Sequence, residues 1–148
     1  MKDMNKKINL LNIMVLTSII IFVTLTIYLD YQRVEKNFRN LKAKLMDTRL
    51  KTLINNKTFV VKFKGKEIVV SDYQTGESIE AMQIPTLKEV KYDTKLGKNM
   101  IVFERGTTGR FNTRIHGGEI LLKSWLGFTK YIHVNCAGYI REGRYPED

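Results

Sequence analysis

The sequence predicts an α+β protein in which one long N-terminal helix packs on an antiparallel β-sheet. Three observations carry this. Residues 8–29 hold no charged side chain. Residues 31–54 repeat apolar side chains at helical spacing. From residue 58 the period falls to two, in short β-branched runs punctuated by glycine. A chain of 148 residues suits one domain. A single cysteine excludes an internal disulfide and a cysteine-rich zinc module.

The first element is the charge-free run, INLLNIMVLTSIIIFVTLTIYL, 22 residues long. As a helix it reaches about 33 Å, enough to cross a hydrocarbon core of about 30 Å. Its Ser and Thr hydroxyls can bond back to helical carbonyls and so cost little in lipid. Tyr28 and Tyr31 fall where interfacial aromatics are expected. The run is longer than a signal-peptide core, and no small-x-small cleavage site follows it.

The helix is expected to continue past the span. No Gly or Pro occurs before Gly65. Tyr31, Val34, Phe38, Leu41 and Leu45 mark one face, and the stripe then slips by one to Met46, Leu50, Leu53 and Ile54. Asn55-Asn56 is the expected stop. Arg33, Lys36, Arg39, Lys42, Lys44, Arg49 and Lys51 lie between the apolar positions. They read as a solvated face, as a contact with anionic lipid headgroups, or as a nucleic-acid surface.

Strands are predicted at 58–63, 67–71, 78–84, 87–92, 100–104, 119–124, 130–135 and 139–141. Gly65 marks a hairpin turn between the first two. The sheet must cover one face with something apolar, and the stripe from Leu41 to Ile54 is available. The chain thus divides into a basic tail (1–7), a transmembrane helix (8–29), an amphipathic extension (30–56) and a β-rich head (57–148).

The net charge of +10 invites a nucleic-acid reading, but its distribution does not. Residues 1–66 carry 14 basic and 4 acidic side chains, whereas residues 67–148 carry 11 of each. A neutral head has little non-specific affinity for DNA.

The order of span, amphipathic extension and β head resembles type IV pilin-like proteins. The stretch VFERGTTGRFNTRIHGGEILLKSWLGFTKYIHVNCAGYIRE resembles the GspH/FimT pseudopilin signature at Phe103, Gly106, Gly118, Ile120, Leu122, Ile132, Val134, Gly138 and Ile140. Apolar residues two apart line one sheet face, and glycine supplies turns. At the N-terminus, Ile8 matches the first mature pilin position, Leu10 and Leu11 the apolar pair, and Asn12 the usual Glu. Lys7 stands where that family has Gly or Ala before the cut. The chain is therefore expected to escape prepilin peptidase.

The resemblance implies a structural minor subunit of a type II secretion pseudopilus or type IV pilus. It implies an inner-membrane protein with an extracytoplasmic head. Its partners would be other pilin-like subunits, inner-membrane assembly components and the bilayer. Arg105, Arg110 and Arg114, with Phe111 among them, lie in a loop read first as a solvated contact with neighbouring subunits; it is also where a DNA-uptake pilin would contact DNA. The positive-inside count points the other way. Lys2, Lys6 and Lys7 precede the span, and seven basic residues follow it by Lys51. That count favours a membrane-anchored regulator with a cytoplasmic head.

No cofactor, metal or enzymatic activity is expected. His133 and Cys136 lie three apart on a strand pattern, which turns them to opposite faces. Cys136 with His116 lacks any further support as a nucleophile pair. Gly106-Thr107-Thr108-Gly109-Arg110 lacks the Gly-Lys-Ser/Thr ending of a phosphate loop. His116-Gly117-Gly118 reads as a turn before a strand. Trp125 and Phe128, flanking Gly127, are taken as core by default, with a subunit contact as the other reading.

Overall fold

The computed structural model describes residues 2–92, 100–104, 118–135 and 137–143, with side chains from residue 9 onward and Tyr92 excepted. One helix, α1 (Lys2–Asn55), runs unbroken through 54 residues. Asn56 ends it in the left-handed region, φ 52°. Asn tolerates that conformation better than most residues, which makes it a C-terminal stop.

Eight strands follow: β1 (Phe59–Lys64), β2 (Glu67–Asp72), β3 (Ser78–Gln83), β4 (Leu87–Tyr92), β5 (Met100–Phe103), β6 (Gly118–Lys123), β7 (Thr129–Val134) and β8 (Ile140–Gly143). Each overlaps a predicted strand, with ends moved by at most two residues. The single expected sheet is two antiparallel sheets, ordered β3-β2-β1-β5 and β4-β6-β7-β8. The chain first changes sheet between β3 and β4, at Ile84-Pro85-Thr86, where Pro85 has no N–H to give a ladder, then returns to the first sheet for β5 and crosses again to β6. In the β1–β2 hairpin Lys64 pairs with Glu67, and Gly65 has φ 61°. A positive φ at the first turn position alone is the type II′ pattern, which suits the strand twist.

Both sheets share one core with α1. Val34, Phe38, Leu41 and Leu45 meet Val61, Ile68, Val70, Ile101 and Phe103 from the first sheet and Ile120, Leu122, Ile132 and Val134 from the second. Ile120 pairs directly with Ile132. The helix touches β1 and β5 on one side and β6, β7 and β8 on the other.

The lower end of the packing stripe departs from expectation. It does not slip to Met46, Leu50 and Ile54, which are 51%, 54% and 72% exposed. The buried line continues instead through Thr48 and Thr52. Leu41, Leu45, Thr48 and Thr52 keep a 4, 3, 4 spacing, so the same face stays turned to the sheets. The hydroxyls bond back along the helix: Thr48 Oγ1 donates to Lys44 O at 2.8 Å and Thr52 Oγ1 to Thr48 O at 3.0 Å, with Phe103 O of β5 a second acceptor at 3.4 Å from Thr52 Oγ1. A threonine so bonded presents its methyl group outward and packs like a small apolar residue.

Candidate membrane segment and its junction with the head

Residues 9–29 of α1 bury nothing against the protein, and every large apolar side chain among them is solvent-exposed. This is the one helix among the described residues long and apolar enough to cross a membrane. Its serine and threonine side chains serve themselves. Thr17 Oγ1 donates to Met14 O at 2.9 Å, Ser18 Oγ to Met14 O at 2.8 Å, Thr24 Oγ1 to Ile20 O at 2.8 Å and Thr26 Oγ1 to Phe22 O at 2.8 Å. Each hydroxyl thus has the partner that lipid cannot supply.

The head takes hold of α1 one residue beyond the charge-free run. The turn between β6 and β7, residues 124–128, closes on itself. Ser124 N donates to Phe128 O at 2.8 Å, and Phe128 N to Ser124 Oγ at 2.9 Å. Gly127, at φ 94°, permits that closure. Asp30 on α1 then receives the turn: Leu126 N donates to Asp30 Oδ2 at 2.9 Å. The Ser124 hydroxyl, the Leu126 and Trp125 amides and nearby Arg33 hold the Asp30 carboxyl below the usual carboxylate range, the hydroxyl most strongly. Beside it the Tyr31 and Phe128 rings meet edge to face, centroids 5.6 Å apart at 80°.

This junction corrects the default placement of Trp125 in the core. Trp125 is 83% exposed, and Leu126 is 43% exposed. Only Phe128 turns inward, where it packs on the core while partly buried. Sequence reasoning missed the Asp30–Ser124–Leu126 clasp. The available signal was an acid at the first charged position after the span.

The basic face of the helix is largely engaged within the chain. Lys44 and Lys51 both pair with Glu80 of β3, and Arg39 Nε lies 2.8 Å from Glu35 Oε1. Lys130 of β7 reaches Glu35 at 3.2 Å and Glu142 at 3.0 Å, and its ammonium sits 5.2 Å from the Phe38 ring centroid. Glu35 is held low by Arg39 first and Lys130 second, and Lys130 is held high by Glu142 first and Glu35 second. Arg49 stacks on Tyr139 at 5.1 Å. Arg33 and Lys36 are solvent-exposed, and Arg33 acts on Asp30 through its charge.

The residues singled out in sequence fall into three places. Leu10, Leu11 and Asn12 lie exposed on α1, whose backbone also includes Lys7 and Ile8. Phe103, Ile120, Leu122, Ile132 and Val134 are fully buried core positions. Ile140 is partly buried against them, Gly118 pairs with Val134, and Gly138 takes φ 75° in the β7–β8 turn. The described positions of the motif thus lie in the core or at strand pairs and turns. Arg105, Gly106, Thr107, Thr108, Gly109, Arg110, Phe111, Arg114, His116, Gly117 and Cys136 lie outside the described residues. His133 Nδ1 lies 3.7 Å from Glu119 Oε1 across the β6–β7 pair. Among the described residues no group of three or more His, Cys, Asp or Glu side chains could hold a metal ion.

No family model, no curated protein and no solved structure matches the chain. The α+β arrangement itself, one long apolar helix on two antiparallel sheets, is consistent with a pilin-like fold.

Proposed function

We propose that this protein is a single-pass membrane protein that serves as a structural, pilin-like minor subunit of a pilus or of a type II secretion pseudopilus. One observation carries the reading. A single helix runs without interruption from a wholly exposed apolar half into the core of a β head. The exposed half needs a hydrocarbon solvent, either lipid or the like halves of neighbouring subunits. In a membrane it anchors the chain. In a filament it packs in a dry helical centre while the head stays outside.

Two further features support assembly. Asn12 offers a hydrogen bond at the position where the resembled family has a Glu. Met46, Leu50 and Ile54 form an exposed line four residues apart on the side of α1 that the sheets leave open. A neighbour's helix has room there.

The test is a photo-crosslinking side chain at Leu50 in the full chain, expressed in its own cells. Crosslinks to proteins built of an apolar N-terminal helix and a small head support the subunit reading. Crosslinks to soluble cytoplasmic proteins support the second reading, a membrane-anchored regulator. That reading draws on the ten basic residues flanking the span, seven of them on the head side. DNA uptake is a third role, tested by a salt-sensitive mobility shift and its loss in Arg105→Ala, Arg110→Ala and Arg114→Ala.

A further inference from the structure

The junction between head and helix carries a consequence for how the head meets the bilayer. Residue 29 is the last of the charge-free run. The headgroup layer outside the hydrocarbon core is about 5–7 Å thick on each side. At about 1.5 Å per residue, α1 traverses that layer over roughly residues 30–33. The β6–β7 turn is fastened to α1 inside this interval, by Leu126 N to Asp30 Oδ2 at 2.9 Å and by Phe128 on Tyr31. The turn is therefore at headgroup depth wherever the helix spans.

What the turn presents there is the chain's single tryptophan, 83% exposed, and Leu126 beside it. The backbone of the turn spends its hydrogen bonds on Asp30 and on itself, so burying it in the interface strands few polar groups. Tryptophan favours that boundary, with an apolar ring and one N–H to satisfy at the wet side. Tyr28 and Tyr31, both exposed, stand at the same level of α1. Lys123, just before the turn in sequence, and Arg33, three residues after Asp30, are both exposed and suit an anionic headgroup. In water this would be an apolar knob with no cover. At the membrane surface it is matched to its surroundings.

We propose that the β6–β7 turn is a second membrane contact, with Trp125 and Leu126 seated at the headgroup–acyl boundary of the leaflet from which α1 emerges. The head then rests on the bilayer through two points, the helix and the turn, instead of swinging on a single stalk. This rests on the reading that residues 8–29 cross the membrane.

The experiment uses the full chain in vesicles of phosphatidylcholine and phosphatidylglycerol. Trp125 fluorescence is excited where tyrosine does not absorb, and quenched either by aqueous acrylamide or by lipids brominated at shallow or deep acyl positions. The expected result is blue-shifted emission, several-fold weaker acrylamide quenching than for free tryptophan, and stronger quenching by shallow than by deep bromines. Full acrylamide quenching with no effect of brominated lipid, in vesicles that keep the protein through alkaline extraction, overturns the contact and leaves the span intact. Protection from both quenchers also overturns it, because a protein surface then covers the tryptophan. Release of the protein by alkaline extraction overturns the spanning reading and the contact with it.

Discussion

The two halves of α1 share a backbone and differ in what their side chains face. In residues 9–29 apolar groups surround the helix and none is buried. In residues 34–52 a single line, Val34, Phe38, Leu41, Leu45, Thr48 and Thr52, is sealed against the sheets. Among the remaining side chains, charged ones tie this half to the head through Glu35, Glu80 and Tyr139. Helix propensity does not separate the halves. The circumference of the apolar surface does: all round for a hydrocarbon solvent, one stripe for a protein partner. Asp30 stands at the change and is occupied by the β6–β7 turn.

The largest test of that contrast is one substitution made in both halves. Leu41→Ala removes a fully buried side chain from the shared core and is expected to lower head stability by about 2–5 kcal/mol. Leu25→Ala is expected to shift it by no more than about 0.5 kcal/mol. Urea midpoints of the full chain in detergent, read from near-ultraviolet circular dichroism, compare them. An equal loss from both would mean that the lower half also packs on the head.

The converse substitution sharpens it. Ile20→Arg places a charge near the centre of the exposed half, at a cost of about 2.5–3.5 kcal/mol for insertion. The variant is expected to leave the alkali-resistant membrane fraction while the head keeps its unfolding midpoint. Retention in the membrane at the wild-type level would contradict the spanning role.

Within the head, a smaller effect marks a close approach. Gly143 pairs with Tyr131 across β7 and β8, and a methyl group on Gly143 would overlap the Tyr131 ring. Tyr131 is buried, so the ring has little room to yield. Gly143→Ala is expected to cost about 1–3 kcal/mol, read by the same urea midpoint.

Much of this fold was legible in the sequence, for reasons that particular residues show. The strands were found because Val, Ile and Phe alternate between glycines, a local signal. Their division into two sheets was not, because strand pairing is fixed by contacts distant in sequence. The end of the packing stripe was misread because Thr48 and Thr52 count as polar by composition. Their hydroxyls bond to the preceding turn, and the helix treats them as apolar. Trp125 was placed inside because hydrophobicity alone cannot tell a core residue from an exposed one. The clasp that reveals it joins residues 96 apart. As for the site, the long apolar helix was plain from an absence of charge, while its junction with the head was invisible.

The smallest expected effect lies at that junction. The Asp30 carboxyl is held below its ordinary value, chiefly by the Ser124 hydroxyl. A lowered folded value means that its contribution is complete above about pH 4 and drains as pH falls through the folded value. Trp125 emission should therefore hold steady from neutrality down to about pH 5 and change only below about pH 4. A transition near neutrality would show that Asp30 does not govern the turn.

The proposed span at residues 8–29, with the head outside the cytoplasm as the pilin resemblance implies, is tested most directly by topology. Cys136→Ala removes the chain's one thiol, and Ser78→Cys installs a new one at an exposed position where β3 begins. Intact cells, with any outer membrane permeabilised, are treated with a membrane-impermeant thiol reagent. The account predicts labelling without lysis of the cytoplasmic membrane. Labelling only after lysis would place the head in the cytoplasm and contradict it.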